Sequence, residues 1–261
     1  MMLDGYGMMR SALQSYNRKQ ISKMRTVLHL KMEKADLRIM RIAVITATEL
    51  EMQPIRAYLS ERLYLQRHHL FELCVTGVGI MHTTHTLSRF LTGEKPDIAI
   101  QGGVGGGFHP LKHPIGTCVA VGSEMQGDLG VMEADGLWKG LPEMGLMDAD
   151  LTPYKGGRLI NPYRDLMTRS GLPIVNGVTV NRVSTAPDMI SMLAHQQAAD
   201  VESMEGAAFH YVCLEAGVPF LQLRGLSNLV GDRNKSRWQM TTALNSVRDA
   251  LFLTIDRLPE N

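Results

Sequence analysis

From Arg41 onward, short apolar β-branched runs alternate with stretches of helical spacing. RIAVITA (41–47) reads as a buried strand. A helix is expected over about Met52 to Glu61, because Pro54 fits only within a first turn. FELCVTG (71–77) predicts a second strand that ends in the GVG turn at 77–79, and HTTHTLSRFL (82–91) has helical spacing. DIAIQGG (97–103) predicts a third strand running into a glycine-rich loop, GGVGGG, at 102–107. GTCVAVGS (116–123) predicts a fourth. Residues 133–157, rich in Gly, Pro, Met and Asp, read as a long loop, and PIVNGVTV (173–180) as another strand. A helix from about Met204 to Ala216 stops at Gly217. PFLQLRGLSN (219–228) is a last strand, and a final helix covers about Trp238 to Leu258.

Strands alternating with helices predict an α/β fold. We expect a single domain, with a central mixed, largely parallel twisted sheet flanked by helices. Several consecutive strands lack an intervening helix, which is why the pairing is expected to be mixed. In open α/β sheets ligands bind at the carboxyl ends of strands. Here those ends follow 41–47, 97–101 and 219–226, each trailed by glycine or polar residues.

Composition narrows the function. The chain has 261 residues, 44% hydrophobic and 20% charged, with a net charge of +1. That balance calls for neither nucleic acid nor an anionic membrane. No apolar run approaches the roughly 18 residues a membrane span needs. The charge is uneven: residues 1–40 carry eight Lys and Arg against three Asp and Glu, a surplus of five. No apolar core of a secretory signal is visible there. Residues 1–39 are expected to be an extension, loosely helical or without fixed structure, or a mis-called start, preceding a domain over 40–258 that opens at Met40. Cys74, Cys118 and Cys213 are far apart among apolar neighbours, as expected of free thiols in a reducing cytoplasm. Neither they nor the nine histidines fall into a metal-binding spacing, so no metal and no cofactor is expected.

Four stretches carry candidate chemistry. GGVGGGF (102–108) is either a tight turn or a place where backbone approaches a small ligand; it has neither the GK[ST] of a phosphate loop nor the position of a dinucleotide fingerprint. TELEMQP (48–54) places Glu49 and Glu51 after the first strand. They complement a helix dipole, or Glu51 points back across the strand end into a cleft and activates water. In VESMEGAAF (201–209), Glu202 or Glu205 supports a helix start, with Ser203 as a candidate cap, or a carboxylate there binds the two hydroxyls of a ribose. LSNLVGDRNKSRW (226–238) ends a strand with Ser227 and Asn228, and an amide there suits a base edge.

In this order, the motifs RIAVITATELEM, AIQGGVGGGF, VESMEGAAFHYVC and LRGLSNLVGDRN with a later Trp resemble the purine nucleosidase branch of the nucleoside phosphorylase superfamily, over about residues 40–256. The resemblance is to the methylthioadenosine/S-adenosylhomocysteine nucleosidases, and more strongly to the futalosine hydrolases. It implies a nucleoside phosphorylase-like domain that hydrolyses a purine N-ribosidic bond. It implies a small nucleoside as partner and a homo-oligomer, dimeric or built from dimers. Carried over, it makes Glu51 the carboxylate that activates water, Glu205 the ribose clamp and Met204 the packing under the sugar. Gly103, Val104 and Gly105 line ribose and base. Val180 falls where nucleosidases stack an aromatic ring on the purine. Arg224 and Ser227 support the base site, and Trp238 covers the 5′ side of the sugar.

Two departures refine the expectation. Adenine-specific nucleosidases have Asp where this chain has Asn228. An amide cannot protonate N7, but its NH₂ can bridge N7 and O6 of a 6-oxopurine, although Asn also pairs with adenine. The related phosphorylases bind phosphate with an Arg-containing motif near the first strand. Here that stretch is ITATELEM, without Arg, which favours water over phosphate. Arg158, Arg182, Arg233 and Arg237 are candidates for an anionic 5′ substituent, and the sequence does not choose among them.

Overall fold

The computed structural model describes residues 39–62 and 64–258. Nearly all of the expected extension, residues 1–38, lies outside the described residues. In chain order the elements are β1 (Met40–Thr46), α1 (Glu49–Glu61), α2 (Leu65–His68), β2 (His69–Val75), α3 (Ile80–Phe90), β3 (Ile98–Gly107) and β4 (Cys118–Glu124). There follow β5 (Gly130–Met132), β6 (Trp138–Gly140), β7 (Leu159–Ile160), α4 (Arg164–Ser170) and β8 (Ile174–Thr179). The rest are α5 (Pro187–Ser191, continued by a π turn over Met192–Gln196), β9 (Val201–Ser203), α6 (Gly206–Ala216), β10 (Phe220–Leu229) and α7 (Met240–Asp256).

The expected α/β class, with a mixed and largely parallel sheet, is what the chain adopts. Strands run in the order β2–β1–β3–β10–β4–β8–β9, and β9 returns to pair with the far end of β3. Pairings β1–β2, β1–β3, β3–β10, β4–β8 and β8–β9 are parallel; β4–β10, β3–β9 and β4–β7 are antiparallel. β1 explains the run of apolar residues in RIAVITA. Ile42 and Val44 face a core with Met52 and Ile55 of α1 and Val247 and Leu251 of α7. Ala43 and Ile45 face the opposite core, with Leu87 of α3 and Phe209 and Val212 of α6. A strand covered on both faces has no polar side to show.

Several boundaries differ from expectation, each for a local reason. α1 begins at Glu49, not Met52, because Thr48 caps it. The Thr48 hydroxyl accepts from the Glu51 N–H while the Glu51 carboxylate accepts from the Thr48 N–H, a reciprocal capping box. Pro54 therefore lies past the first turn, inside the helix. The glycine-rich run is not a loop. It continues β3 to Gly107, because pairing with β10 on one side and β9 on the other holds it extended. Val201–Ser203 forms β9, so α6 starts at Gly206 with Glu205 as its cap residue, and neither Ser203 nor Glu202 opens a helix. The stretch 133–157 includes β6, which pairs with β5 as a hairpin. β7, α4 and α5 were not expected; at two to seven residues they are too short to show a hydrophobic period. Among the described residues no helix is long and apolar enough to cross a membrane.

Candidate active site

The carboxyl ends of β1, β3 and β10 open onto one cleft of about 240 Å³. Thr48, Glu51, Val104, Gly105, Gly106, Glu202, Ser203, Met204, Glu205, Ser227, Asn228, Arg233 and Trp238 line it. Strands alone bring together residues up to about 190 positions apart, since parallel pairing aligns their ends.

The fold gives Glu49 and Glu51 different surroundings. Glu49 is exposed and pairs with Arg56 at 3.2 Å. Glu51 is buried, and its carboxylate is held at both oxygens. Oε2 accepts from the Ala47 N–H at 3.2 Å, the Thr48 N–H at 3.0 Å and the Thr48 hydroxyl at 3.0 Å. Oε1 accepts from the Val104 N–H at 3.1 Å, which ties α1 to β3 across the floor of the cleft. The carboxylate thus has one orientation, a requirement for a base that must meet a particular water.

Glu205 is also buried, at the junction of β9 and α6. Its Oε1 accepts from the Gly79 N–H at 3.0 Å, at the N-terminus of α3. Its Oε2 lies 3.9 Å from Nη1 of Arg224. Burial raises the Glu205 pKa and the nearby Glu51 charge adds to the rise, while Arg224 and the Gly79 N–H oppose it. Arg224 is 1% exposed and donates to Gln101 Oε1 at 2.8 Å. It therefore lies beneath the cleft beside the two carboxylates, a buried position from which the resemblance has it support the base site. Gly103 explains how that packing is reached. A Cβ there would collide with Arg224 Nη1 and stand 2.9 Å from Glu51 Oε1. Gly103 makes room for the machinery and is not itself among the lining residues.

Asn228 stands at a bulge. β10 pairs Leu226 with Gly105 and Asn228 with Gly106, so Ser227 is the extra residue. The bulge aims Asn228 into the cleft, and its neighbours fix the amide. The Ser227 hydroxyl donates to Oδ1 at 2.7 Å, and Nδ2 donates to the Leu229 carbonyl at 2.8 Å. One Nδ2 hydrogen is left over. Trp238 closes another side of the cleft; its Nε1 donates to the Asp232 carbonyl at 3.0 Å, and the Arg233 guanidinium lies 5.4 Å from its ring centre. Of the four candidate arginines, Arg233 alone lines the cleft.

Val180 is not where it was expected. It is fully buried in a separate apolar cluster with Val178, Met192, Leu193 and Ala199, and it does not line the cleft. Glu202, set aside in the sequence as a helix support, does line it. Thr48 was also missed; the T-x-x-E spacing of Thr48 and Glu51 was the available signal. A larger cavity of about 440 Å³ lies by the β5–β6 hairpin, around Trp138, Tyr154 and Arg158. Arg158 is spent there on Ser123, the carbonyls of Gly177 and Gln197, and the Met125 sulfur. Among the described residues that line it, Glu143 alone carries a carboxylate, so the smaller cleft is the candidate site.

A model of the phosphorylase superfamily matches residues 41–257, nearly all of the described chain. The chain belongs to the phosphorylase superfamily. Within this superfamily it is 33% identical over 180 residues to futalosine hydrolase of Thermus thermophilus, covering 67% of this chain and 77% of that relative. It is 28% identical over 226 residues to futalosine hydrolase of Streptomyces coelicolor, covering 81% of this chain and 94% of that one. Among solved structures, the native futalosine hydrolase of Helicobacter pylori strain 26695 superposes with a TM-score of 0.69 at 15% identity, over 84% of this chain and 99% of that one. A 5′-methylthioadenosine/S-adenosylhomocysteine nucleosidase from the same organism superposes with the same score and identity, over 85% and 100%. At such identities the superpositions speak to the superfamily fold.

Proposed function

We propose that this chain hydrolyses the N-ribosidic bond of futalosine, releasing hypoxanthine and dehypoxanthine futalosine, as a step of menaquinone biosynthesis. The observation that carries the reading is Asn228, set by the Ser227 bulge with its Oδ1 occupied and an Nδ2 hydrogen free for the acceptors N7 and O6 of a 6-oxopurine. The similarity to the Thermus thermophilus and Streptomyces coelicolor enzymes supports the same choice.

The ribosyl carbon–nitrogen bond breaks with its electron pair leaving on the base, and the sugar gains oxocarbenium character. Asn228 hydrogen-bonds the departing hypoxanthine where that charge collects. Glu205 accepts from the 2′- and 3′-hydroxyls and fixes the ring, its own position held by Gly79 and Arg224. Glu51 orients water beneath the anomeric carbon and takes its proton as the new carbon–oxygen bond forms. The hypoxanthine anion is protonated by solvent, since an amide has no proton to give. Each acid–base or preorganised polar contribution is worth about 10²–10⁴-fold in rate. Arg233, on the wall beside Trp238, is the cation for the carboxyphenyl group at the 5′ end of futalosine.

A second reading is release of adenine from methylthioadenosine, S-adenosylhomocysteine or aminodeoxyfutalosine, since the chain is also 23% identical over 232 residues to a methylthioadenosine/S-adenosylhomocysteine nucleosidase of Exiguobacterium. A third is nucleoside binding without turnover. The test is base release from futalosine in phosphate-free and phosphate-containing buffer. Equal rates in the two buffers are expected. Rates that need phosphate would replace hydrolysis with phosphorolysis, and binding without released base would favour the third reading.

A further inference from the structure

Glu205 stands at the position that caps α6, yet its side chain makes no cap. A carboxylate there is drawn to the free N–H groups of its own first turn. Here it turns the other way, to the Gly79 N–H and the cleft. Other side chains take up those N–H groups. The Ser203 hydroxyl accepts from Gly206 at 3.3 Å, and the Thr179 hydroxyl accepts from Ala207 at 2.7 Å. Ala207 is the second residue of α6, whose N–H ordinarily donates to the cap residue's own side chain. Thr179, fully buried at the end of β8, stands in for that cap.

A hydroxyl holds a lone pair on one donor only when its hydrogen is fixed elsewhere. Glu124 fixes it. Fully buried at the end of β4, Glu124 accepts from the Thr179 hydroxyl through Oε2 at 3.0 Å and from Gln222 Nε2 through Oε1 at 2.8 Å. Burial pushes its pKa up to about 6, against Gln222, Arg224, Thr179 and Arg158, so above that value the carboxylate only accepts. It sits directly against the start of the helix, where a Cβ on residue 206 would collide with Glu124 Oε1. Gly206, next to Glu205, gives it room.

We infer that Glu124 and Thr179 are positioning residues for the ribose clamp. Glu124 aims the Thr179 hydroxyl so that it receives the Ala207 N–H. The cap from Thr179 fixes the first turn of α6, and the Glu205 carboxylate stays free for the hydroxyls of the sugar. Neither residue lines the cleft, so both act through Glu205. The inference rests on the reading of Glu205 as the ribose clamp of a nucleosidase.

The test compares kcat/KM for futalosine and 3′-deoxyfutalosine with Glu124 ionised, at about pH 8. The native chain should prefer futalosine about tenfold or more, the effect of one hydrogen bond to a charged group. Thr179→Val keeps the shape but offers the Ala207 N–H no acceptor, and Glu124→Ala lets the Thr179 hydroxyl turn. In both, the preference should shrink to about threefold or less, because losses within one network are coupled. Thr179→Ser, which keeps the hydroxyl, should keep the native preference. Both kcat/KM values falling together in Thr179→Val and Glu124→Ala, with the preference kept, would overturn the inference, because a packing defect weakens both substrates alike. Amide hydrogen exchange of the native chain gives an answer even if the variants do not fold. Protection of the Ala207 N–H should agree within about threefold with and without dehypoxanthine futalosine, the ribose-bearing product. A change of about tenfold or more would show that Glu205 shares the cap in the free chain, and would overturn the inference. A native chain that cleaves neither nucleoside, or both equally well, would instead overturn the reading of the clamp on which it rests.

Discussion

Glu51 holds two positions at once, as the cap partner of α1 and as the carboxylate on the cleft floor, and Glu51→Gln separates them. The variant keeps size and shape but replaces one acceptor oxygen with an NH₂. Turned one way, the NH₂ confronts the Ala47 N–H, the Thr48 N–H and the Thr48 hydroxyl; turned the other way, it confronts only the Val104 N–H. The second is the lesser loss, one donor turned against another, at about 1–3 kcal/mol. For a domain of this size a loss near 2 kcal/mol lowers Tm by roughly 4–8 °C. Catalysis should suffer far more, because an amide cannot take a proton from water, and kcat should fall about 10²–10⁴-fold. Thr48→Ala is the matched control. It removes the cap hydroxyl at about 1 kcal/mol but leaves the carboxylate, so it should lower Tm with much less effect on turnover. Hypoxanthine release and thermal melts on the same samples decide between the roles. A Glu51→Gln variant that melts lower yet turns over within tenfold of the native chain would refute the catalytic assignment and leave Glu51 a cap alone.

Two further outcomes follow from the buried groups. Gly103→Ala places a methyl against Arg224 Nη1 and Glu51 Oε1, so kcat/KM should drop at least a hundredfold in a chain that still folds; near-native turnover would show that the two groups tolerate displacement. Glu124, fully buried, accepts from Gln222 at 2.8 Å and Thr179 at 3.0 Å, and burial pushes its pKa up to about 6 from 4.5 despite these bonds. Between those values the folded chain holds the proton more tightly than the unfolded chain, so Glu124 makes stability fall as pH rises through the window, by about 2 kcal/mol. Glu124→Gln should remove that part of the loss between pH 4.5 and pH 7 in urea unfolding. Equal losses in variant and native chain would contradict it.

The sequence revealed the class and the ends of the strands that matter, because β1, β3 and β10 are covered on both faces and spell themselves as apolar runs. It did not reveal that β9 exists. Val201–Ser203 has only three residues, and VESMEG reads as easily as a helix start. That one misreading hid Glu202, since the residue lines the cleft only if β9 pairs with Gly106. The glycine-rich run looked like a loop because glycine is a weak strand former, and only pairing on both sides holds it extended. Glu51 was legible as a carboxylate after a strand, but its orientation depends on the Val104 N–H, 53 residues away. Val180 and Arg224 were placed by likeness of position. The fold puts one in a separate core and the other beneath the cleft, a distinction of depth that no linear motif carries.

The most direct measurement is incubation of the chain with futalosine and methylthioadenosine side by side, with chromatography of the freed bases. Stoichiometric hypoxanthine from futalosine is expected, at a rate well above any adenine from methylthioadenosine. Adenine as the main product, or no base from either nucleoside, would contradict it.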